Sequence, residues 1–228
     1  MSWFTDTFGS SIGRKLLMSL TGLFLILFLI IHLLGNLAIF SNDGGLAFNE
    51  YAAFMSHNIV IKVVSFALYF SILGHAVIAS WLWLSNKMAR PTGYAVSNAA
   101  ENSTWASRSM MLLGSLVFFY ILIHLKDFWW QYKVGGSYQF DIDSNGNRDL
   151  FTLVVEQFQS PVTLGIYLAG LLGLSIHLWH GFQSAFQTLG IEHQRYTPVI
   201  KFLGKVYAVI VPIGFAAMPV YIFFFSQT

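Results

Sequence analysis

The chain has 228 residues, of which 56% are hydrophobic and only 10% are charged, against about 25% charged residues in soluble domains. This balance excludes an ordinary soluble protein and predicts a membrane protein. The net charge of +2 is too small to suggest a nucleic-acid partner. The absence of cysteine excludes disulfides, thiolate metal sites and cysteine-ligated iron–sulfur clusters within this chain.

Five apolar segments are each long enough to cross ~30 Å of hydrocarbon as a helix, which takes about 20 residues. We predict spans at residues 14–40, 60–86, 107–130, 161–189 and 204–226. The fourth span lies in Gln157–Ile191, which contains no Asp, Glu, Lys or Arg. Between the third and fourth spans, Gln131–Glu156 is predicted to be a polar loop. The sequence therefore predicts an all-α membrane protein, a bundle of five transmembrane helices forming one domain over residues 1–228.

Basic residues predict the orientation of these spans, because cytoplasmic loops carry an excess of Lys and Arg. More of the basic residues lie on the side of the N-terminus than on the opposite side. The N-terminal side holds Arg14, Lys15, Lys87, Arg90, Arg108, Arg195, Lys201 and Lys205, and the opposite side holds Lys62, Lys126, Lys133 and Arg148. We therefore expect a cytoplasmic N-terminus and, after five spans, a C-terminus outside.

Each of the first four spans contains one internal histidine that is a candidate ligand: His32, His75, His124 and His177. An ionisable residue inside a membrane helix is costly and is a functional candidate by default. At a rise of ~1.5 Å per residue, His32 and His124 lie near the outer surface, and His75 and His177 share a level nearer the cytoplasm. Neutral imidazole is a common axial ligand of haem iron. The pattern predicts two stacked bis-histidine haems, roughly 10–15 Å apart in level.

The fourth span also presents a face of small residues around its histidine. Positions at helical spacing place a flat group, such as a haem, against this face, with His177 at its centre. The face consists of Gly170, Gly173, His177, Gly181 and Ser184. His180 lies one turn from His177 but is rotated off this face, so we expect it at the haem periphery or as a substitute ligand.

Four segments together resemble a known family: Ser19–Asn36, Leu73–Ala76, Ile123–Leu125 and His177–Gly181. The chain resembles the di-haem cytochrome b membrane anchor of succinate:menaquinone oxidoreductases and fumarate reductases, of the b558 type. The resemblance covers nearly the whole chain. It implies five helices enclosing two haems, with His75 and His177 on the proximal haem and His32 and His124 on the distal one.

The resemblance also implies a function and a location. Electrons would pass from an iron–sulfur subunit through both haems to menaquinone, in the quinone-reactive subunit of succinate dehydrogenase (respiratory complex II, tricarboxylic acid cycle). The flavoprotein and iron–sulfur subunits would bind at the cytoplasmic face of a bacterial inner membrane, and this chain would hold no dicarboxylate site. Some fumarate reductases of this type carry a glutamate, linked to proton movement, where this chain has Ser175.

Two further groups of polar residues are candidates for roles around these cofactors. Glu50 and Asp127 lie near the outer haem level and are candidates for protonating the quinone. Haem propionates prefer cationic or hydroxyl partners, and three residues on the cytoplasmic side could supply them. These residues are Arg14, Ser19 and Arg108.

Three other functions remain compatible with the sequence. A menaquinol-oxidising fumarate reductase would use the same anchor with electrons flowing in reverse. The cytochrome b subunit of a hydrogenase or formate dehydrogenase also uses histidine pairs in a membrane. A metal permease would instead cluster its histidines at one level, usually beside carboxylates or methionines.

Overall fold

The computed structural model describes residues 9–89 and 105–226. The structure is 83% helical, and the described residues form no strand beyond an isolated β-bridge between Ile142 and Arg148. Along these two stretches seven helices longer than one turn follow one another. They are α1 (Ser11–Asn36), α2 (Leu46–His57), α3 (Ile59–Met88), α4 (Met110–His124), α5 (Leu150–Phe158), α6 (Pro161–Thr188) and α7 (Thr197–Phe225).

Two of the helices continue in another helical form. A 3₁₀ turn, Leu37–Phe40, extends α1, and a π-helix, Leu125–Gly135, extends α4. A single turn, Trp105–Arg108, precedes α4. With these extensions, five helices in the described part of the chain are long and apolar enough to cross a membrane: α1, α3, α4, α6 and α7. The five spans predicted from the sequence are confirmed, and the chain is a multi-pass membrane protein by this criterion.

The ends of two spans differ from the prediction. The π-helix carries the third span to Gly135, beyond the expected end at residue 130. The last span begins at Thr197 instead of residue 204. Lys201 interrupts the apolar pattern near the start of this helix, so hydropathy places the start of the span too late.

Side-chain caps fix where several helices begin. Ser10, Asn58 and Ser160 each accept a hydrogen bond from a backbone N–H two or three residues later. Such caps satisfy donors that the first helical turn leaves without a partner. Pro161 follows the last of these caps, at a position where its missing N–H costs nothing.

Helix α6 lies at the centre of the bundle, packed against α7, α4 and α1, while α1 also packs against α3. Small residues allow the close approach of α4 and α6, since a Cβ at Gly170 would overlap Tyr120 and one at Gly173 would overlap Leu116. Helix α3 differs from the others, as none of its residues is buried. The bundle therefore has a packed centre in α6 and an open flank in α3.

A small cap of α2 and α5 covers the end of the bundle where α1 ends and α6 begins. The prediction of a polar loop over Gln131–Glu156 is wrong at both ends. The π-helix covers its first five residues, and Leu150–Phe158 is helical and buries Leu153, Val154 and Val155. Asn49 on α2 is only 1% exposed. Its amide donates to Asp149 at 3.0 Å and accepts from the backbone N–H of Phe151 at 2.9 Å. These bonds join α2 to the start of α5.

Candidate functional site

The four membrane histidines meet as two pairs. The ring centroids of His75 and His177 are 6.5 Å apart, and those of His32 and His124 are 5.8 Å apart. In both pairs the two ring planes are steeply inclined, at 69° and 83°. These are the pairs that helix depth predicts, and we call them the proximal and the distal pair.

The separation between the two pairs can be read along two of the helices. On α1, Gly22 lies against His75, and His32 follows ten residues later. On α4, Gly114 lies against His177, and His124 likewise follows ten residues later. Both helices therefore place the two pairs about 15 Å apart in level, at the upper end of the range expected from the sequence.

The proximal pair is surrounded by small residues. A Cβ added to Gly22 would lie 3.4 Å from Cε1 of His75, and one added to Gly114 would lie 3.6 Å from Cε1 of His177. The hydroxyl of Thr21 lies 3.1 Å from Nδ1 of His75. Helices α1 and α4 thus approach the two imidazoles closely, with no large side chain between.

The distal pair is surrounded by aromatic rings. Phe28 stacks on His32 at 5.2 Å and 15°, and Phe128 meets His124 edge-on at 5.4 Å. Three more rings lie within 6.4 Å of one or other imidazole, namely Tyr120, Tyr167 and Phe215. Part of this cradle could have been found by sequence, because Phe28, Tyr120 and Phe128 each lie four residues from a histidine, on the same helical face. Tyr167 and Phe215 come from α6 and α7, and no local pattern points to them.

Both pairs leave a polar atom without a partner. Among the described residues, Nδ1 of His124 and Nδ1 of His177 are buried and make no hydrogen bond. Buried polar atoms are rarely left unpaired in folded proteins. Metal–imidazole bonds are about 2 Å long, so one metal ion bonded to both rings would hold their centroids about 6 Å apart. Both observed separations are close to that value, and neutral imidazoles are suitable axial donors for haem iron.

The two predicted proton donors lie in different surroundings. Asp127 is buried, and its carboxylate accepts hydrogen bonds from the Tyr167 hydroxyl at 3.1 Å and the Lys126 ammonium at 3.1 Å. Glu50 is exposed on α2. Tyr167 connects Asp127 to the distal pair, since its ring lies 6.1 Å from that of His124. Asp127 is therefore close to the distal histidines, whereas Glu50 faces solvent.

An open apolar groove of about 420 Å³ lies between α1 and α2. Its walls are Ile31, Leu34, Gly35, Ala38, Ala47 and Tyr51. Gly35 is required there, because a Cβ would overlap the Tyr51 ring. Burial raises the pKa of Tyr51, so its phenol stays protonated at neutral pH. The groove begins at the residue before His32 and offers one hydroxyl among apolar side chains.

The four residues predicted at the haem periphery have different surroundings in the structure. The Arg14 guanidinium lies 5.0 Å over the ring of Trp81, and the buried Ser19 hydroxyl donates to the Lys15 carbonyl at 3.1 Å. Arg108 is exposed in the short turn before α4. His180 is half-buried one turn beyond His177, and it is His177 whose ring faces His75.

The glycine face of the fourth span packs against α4. Leu116 and Tyr120 fill the space at Gly173 and Gly170, and the end of Met110 lies 3.5 Å from a Cβ at Gly181. The expectation that a flat group covers this whole face differs from the structure, in which side chains of α4 cover most of it. Gly114 of α4 in turn lies against His177 of α6, so glycines on both helices contribute to the close packing of α4 and α6.

The arrangement differs from that of a metal permease. Among the described residues, no three His, Asp or Glu side chains gather into a metal-binding group. The histidines lie in pairs, at two levels.

Comparison of the chain with protein-family models, with curated proteins and with solved structures finds no match.

Proposed function

We propose that the chain is the cytochrome b membrane subunit of a succinate:menaquinone oxidoreductase, carrying electrons from an iron–sulfur subunit through two b haems to menaquinone. One observation supports this proposal most strongly. Four helices bring four histidines together as two facing pairs, with centroid separations of 6.5 and 5.8 Å. A permease or a purely structural role gives no reason for two such pairs about 15 Å apart along the helices.

Each histidine has a defined role in this proposal. His75 and His177 hold the proximal haem, and His32 and His124 hold the distal haem, each through a neutral ring nitrogen. A bis-histidine haem supplies one-electron transfer. Because the histidines lie on α3 and α6, and on α1 and α4, the packed bundle holds the two rings of each pair opposite each other.

The protein around the distal pair excludes water. The aromatic cradle covers both imidazoles, and the cap of α2 and α5 buries Phe48, Val154 and Phe158 above it. A dry site strengthens electrostatic interactions between buried groups. Because the cap covers this end of the bundle, the quinone and its protons would reach the distal pair from the side, through the groove between α1 and α2.

That groove has the features a quinone site requires, an apolar slot with few polar groups. Tyr51 offers a hydroxyl for a quinone oxygen, and the exposed Glu50 directly precedes it on α2. We propose that Glu50 passes solvent protons to the site. Asp127 holds a second carboxylate close to the distal pair, where Tyr167 and Lys126 keep it in place.

The cytoplasmic end of the bundle would bind the other subunits. The excess of basic residues at the N-terminal side supports a cytoplasmic location for that side in a bacterial cell. The iron–sulfur subunit would dock there, nearest the proximal pair, and the flavoprotein subunit would oxidise succinate beyond it. The C-terminus would lie outside the inner membrane.

The proposal is tested on the assembled complex with succinate as donor. Wild-type complex is expected to reduce both a menaquinone analogue and a dye that accepts electrons at the flavin. The His177→Ala complex is expected to keep dye reduction and lose at least nine-tenths of quinone reduction. Equal quinone reduction by the two complexes, or failure of any flavin-bearing partner to co-purify with the chain from its native membrane, would overturn the proposal.

A further inference from the structure

We propose that Thr21 is the positioning residue of the proximal site, fixing the tautomer and the orientation of His75 so that its other nitrogen faces His177. This inference rests on the proposed function and deepens it. Thr21 lies on α1 and His75 on α3, 54 residues later. Its hydroxyl is 3.1 Å from Nδ1 of His75, which makes it the side-chain neighbour of that nitrogen.

The direction of this hydrogen bond follows from the rest of the hydroxyl's contacts. The Thr21 hydroxyl is 2.8 Å from the carbonyl oxygen of Leu17 and 3.1 Å from that of Met18. A hydroxyl carries a single proton, and a carbonyl can only accept. Because two carbonyls compete for that single proton, we infer that the hydroxyl donates to a carbonyl and accepts from His75. Nδ1 of His75 therefore carries the ring proton.

The backbone of α1 can come this close because residue 22 is a glycine. A Cβ added to Gly22 would lie 3.4 Å from Cε1 of His75. This turn of α1 therefore brings the Thr21 hydroxyl to the imidazole with no side chain of residue 22 in the way.

The consequence appears at the opposite ring nitrogen. With the proton on Nδ1, the lone pair of a neutral imidazole is on Nε2, the state required of a metal ligand. A hydrogen bond from the non-ligating nitrogen fixes the ring and makes the ligand more basic, and losing such a bond typically costs 10–100-fold in metal affinity. His177 has no equivalent support, because its Nδ1 is buried without a partner among the described residues. The proximal site thus has one supported and one unsupported ligand.

The test compares Thr21→Val with Thr21→Ser and Thr188→Val in the purified holo chain. Thr21→Val keeps the shape of the side chain and removes the acceptor, whereas Thr21→Ser retains it. Thr188 bonds the carbonyl four residues earlier, as Thr21 does, but among the described residues its hydroxyl makes no hydrogen bond to a histidine. Haem per chain, the midpoint potential of each haem and the low-spin electron paramagnetic resonance signals are measured.

Thr21→Val is expected to raise the potential of one haem and shift one of the two low-spin signals, because a less basic imidazole stabilises oxidised iron less. Occupancy of that haem should fall, the second haem should stay unchanged, and Thr21→Ser and Thr188→Val should match wild type. Unchanged potentials and signals in Thr21→Val would overturn the inference while leaving the proposed function intact. A wild-type chain that binds no haem would overturn both, and equal shifts of both haems would show a general structural effect and overturn the inference.

Discussion

The proximal and distal pairs have the same chemistry but are supported in opposite ways. The proximal imidazoles lie against glycines of α1 and α4, and the distal imidazoles lie in a cradle of aromatic rings. The neighbours on α1 differ too. Thr21 presents an acceptor to His75, whereas the NH₂ group of Asn36, which donates to the His32 carbonyl at 2.7 Å, lies 3.3 Å from Nδ1 of His32.

This difference indicates how each pair is kept in place. Close backbone approach positions the proximal rings, so a side chain larger than that of alanine at Gly22 or Gly114 should press on that pair. Surrounding side-chain volume positions the distal rings, so that pair tolerates no lost atoms. Two sites with one ligand type can in this way differ in ligand strength and in access to water, both of which set the potential of a haem.

The largest expected effect comes from removing one ligand. His177→Ala should leave one haem per chain, because only the proximal pair loses a ring. His180→Ala, one turn away, should keep both haems. Haem per chain is measured by pyridine haemochrome. If His180→Ala loses a haem and His177→Ala does not, the proximal ligand is misassigned.

Adding atoms should harm the proximal pair alone. Gly22→Val places methyl groups beyond a Cβ that already lies 3.4 Å from His75, and such overpacking costs about 1–3 kcal/mol. Gly165→Val on α6 is the control, since nothing lies within 4 Å of its Cβ. We expect Gly22→Val to lower proximal haem occupancy with the distal spectrum unchanged. A shift confined to the distal haem would contradict this account of the pairs.

Removing atoms should harm the distal pair instead. Phe128→Ala deletes a ring that lies 5.4 Å from His124, and for this half-buried side chain we expect a loss of about 2–3 kcal/mol. Phe119→Ala is the control on the same helix, as Phe119 is 62% exposed. Thermal unfolding in detergent and the two haem spectra are measured. Equal losses from the two variants would show that the cradle has no special role.

The buried carboxylate beside the distal pair gives a smaller effect. Tyr167→Phe removes the donor 3.1 Å from Asp127 and leaves a buried oxygen unpaired, which should cost about 1–3 kcal/mol. Tyr196→Phe, at an exposed tyrosine, should cost nothing measurable. The free energy of unfolding of each variant is measured and compared with that of wild type. A stable Tyr167→Phe variant would mean that Lys126 alone keeps the Asp127 carboxylate in place.

The smallest effect concerns the cap. Burial raises the pKa of the Asp149 carboxyl, but hydrogen bonds from the hydroxyl and the backbone N–H of Thr152 and from the amide of Asn49 outweigh burial and leave the pKa below its ordinary value. Its stabilisation is therefore complete above the unfolded pKa of about 3.9 and is lost as pH falls through the lower folded value. Asp149→Asn should flatten the acid limb of a stability profile below about pH 4. If the acid limb of Asp149→Asn matched that of wild type, the loss of stability in acid would come from other carboxyls.

The sequence was sufficient to predict the spans and the pairing of the histidines, because both follow from hydropathy and the fixed rise of a helix. The cap was not predicted. Helix α5 is only nine residues long, and α2 follows Gly45, whose φ of +87° no local apolar pattern signals. The contact between Thr21 and His75 joins residues 54 apart on different helices, so only the packing of α1 on α3 reveals it. Asp127, predicted only to lie near the outer haem level, is buried against Tyr167 of α6, a contact between two spans that no local pattern signals.

The central claim is that each pair of histidines holds one haem. It is tested most directly by a reduced-minus-oxidised optical spectrum of the purified wild-type chain, with pyridine haemochrome quantification against protein. The account predicts two b-type haems per chain with two resolvable potentials. A folded, membrane-extracted chain with no haem would contradict the account, and one haem per chain would contradict the assignment of a ligand pair at each level.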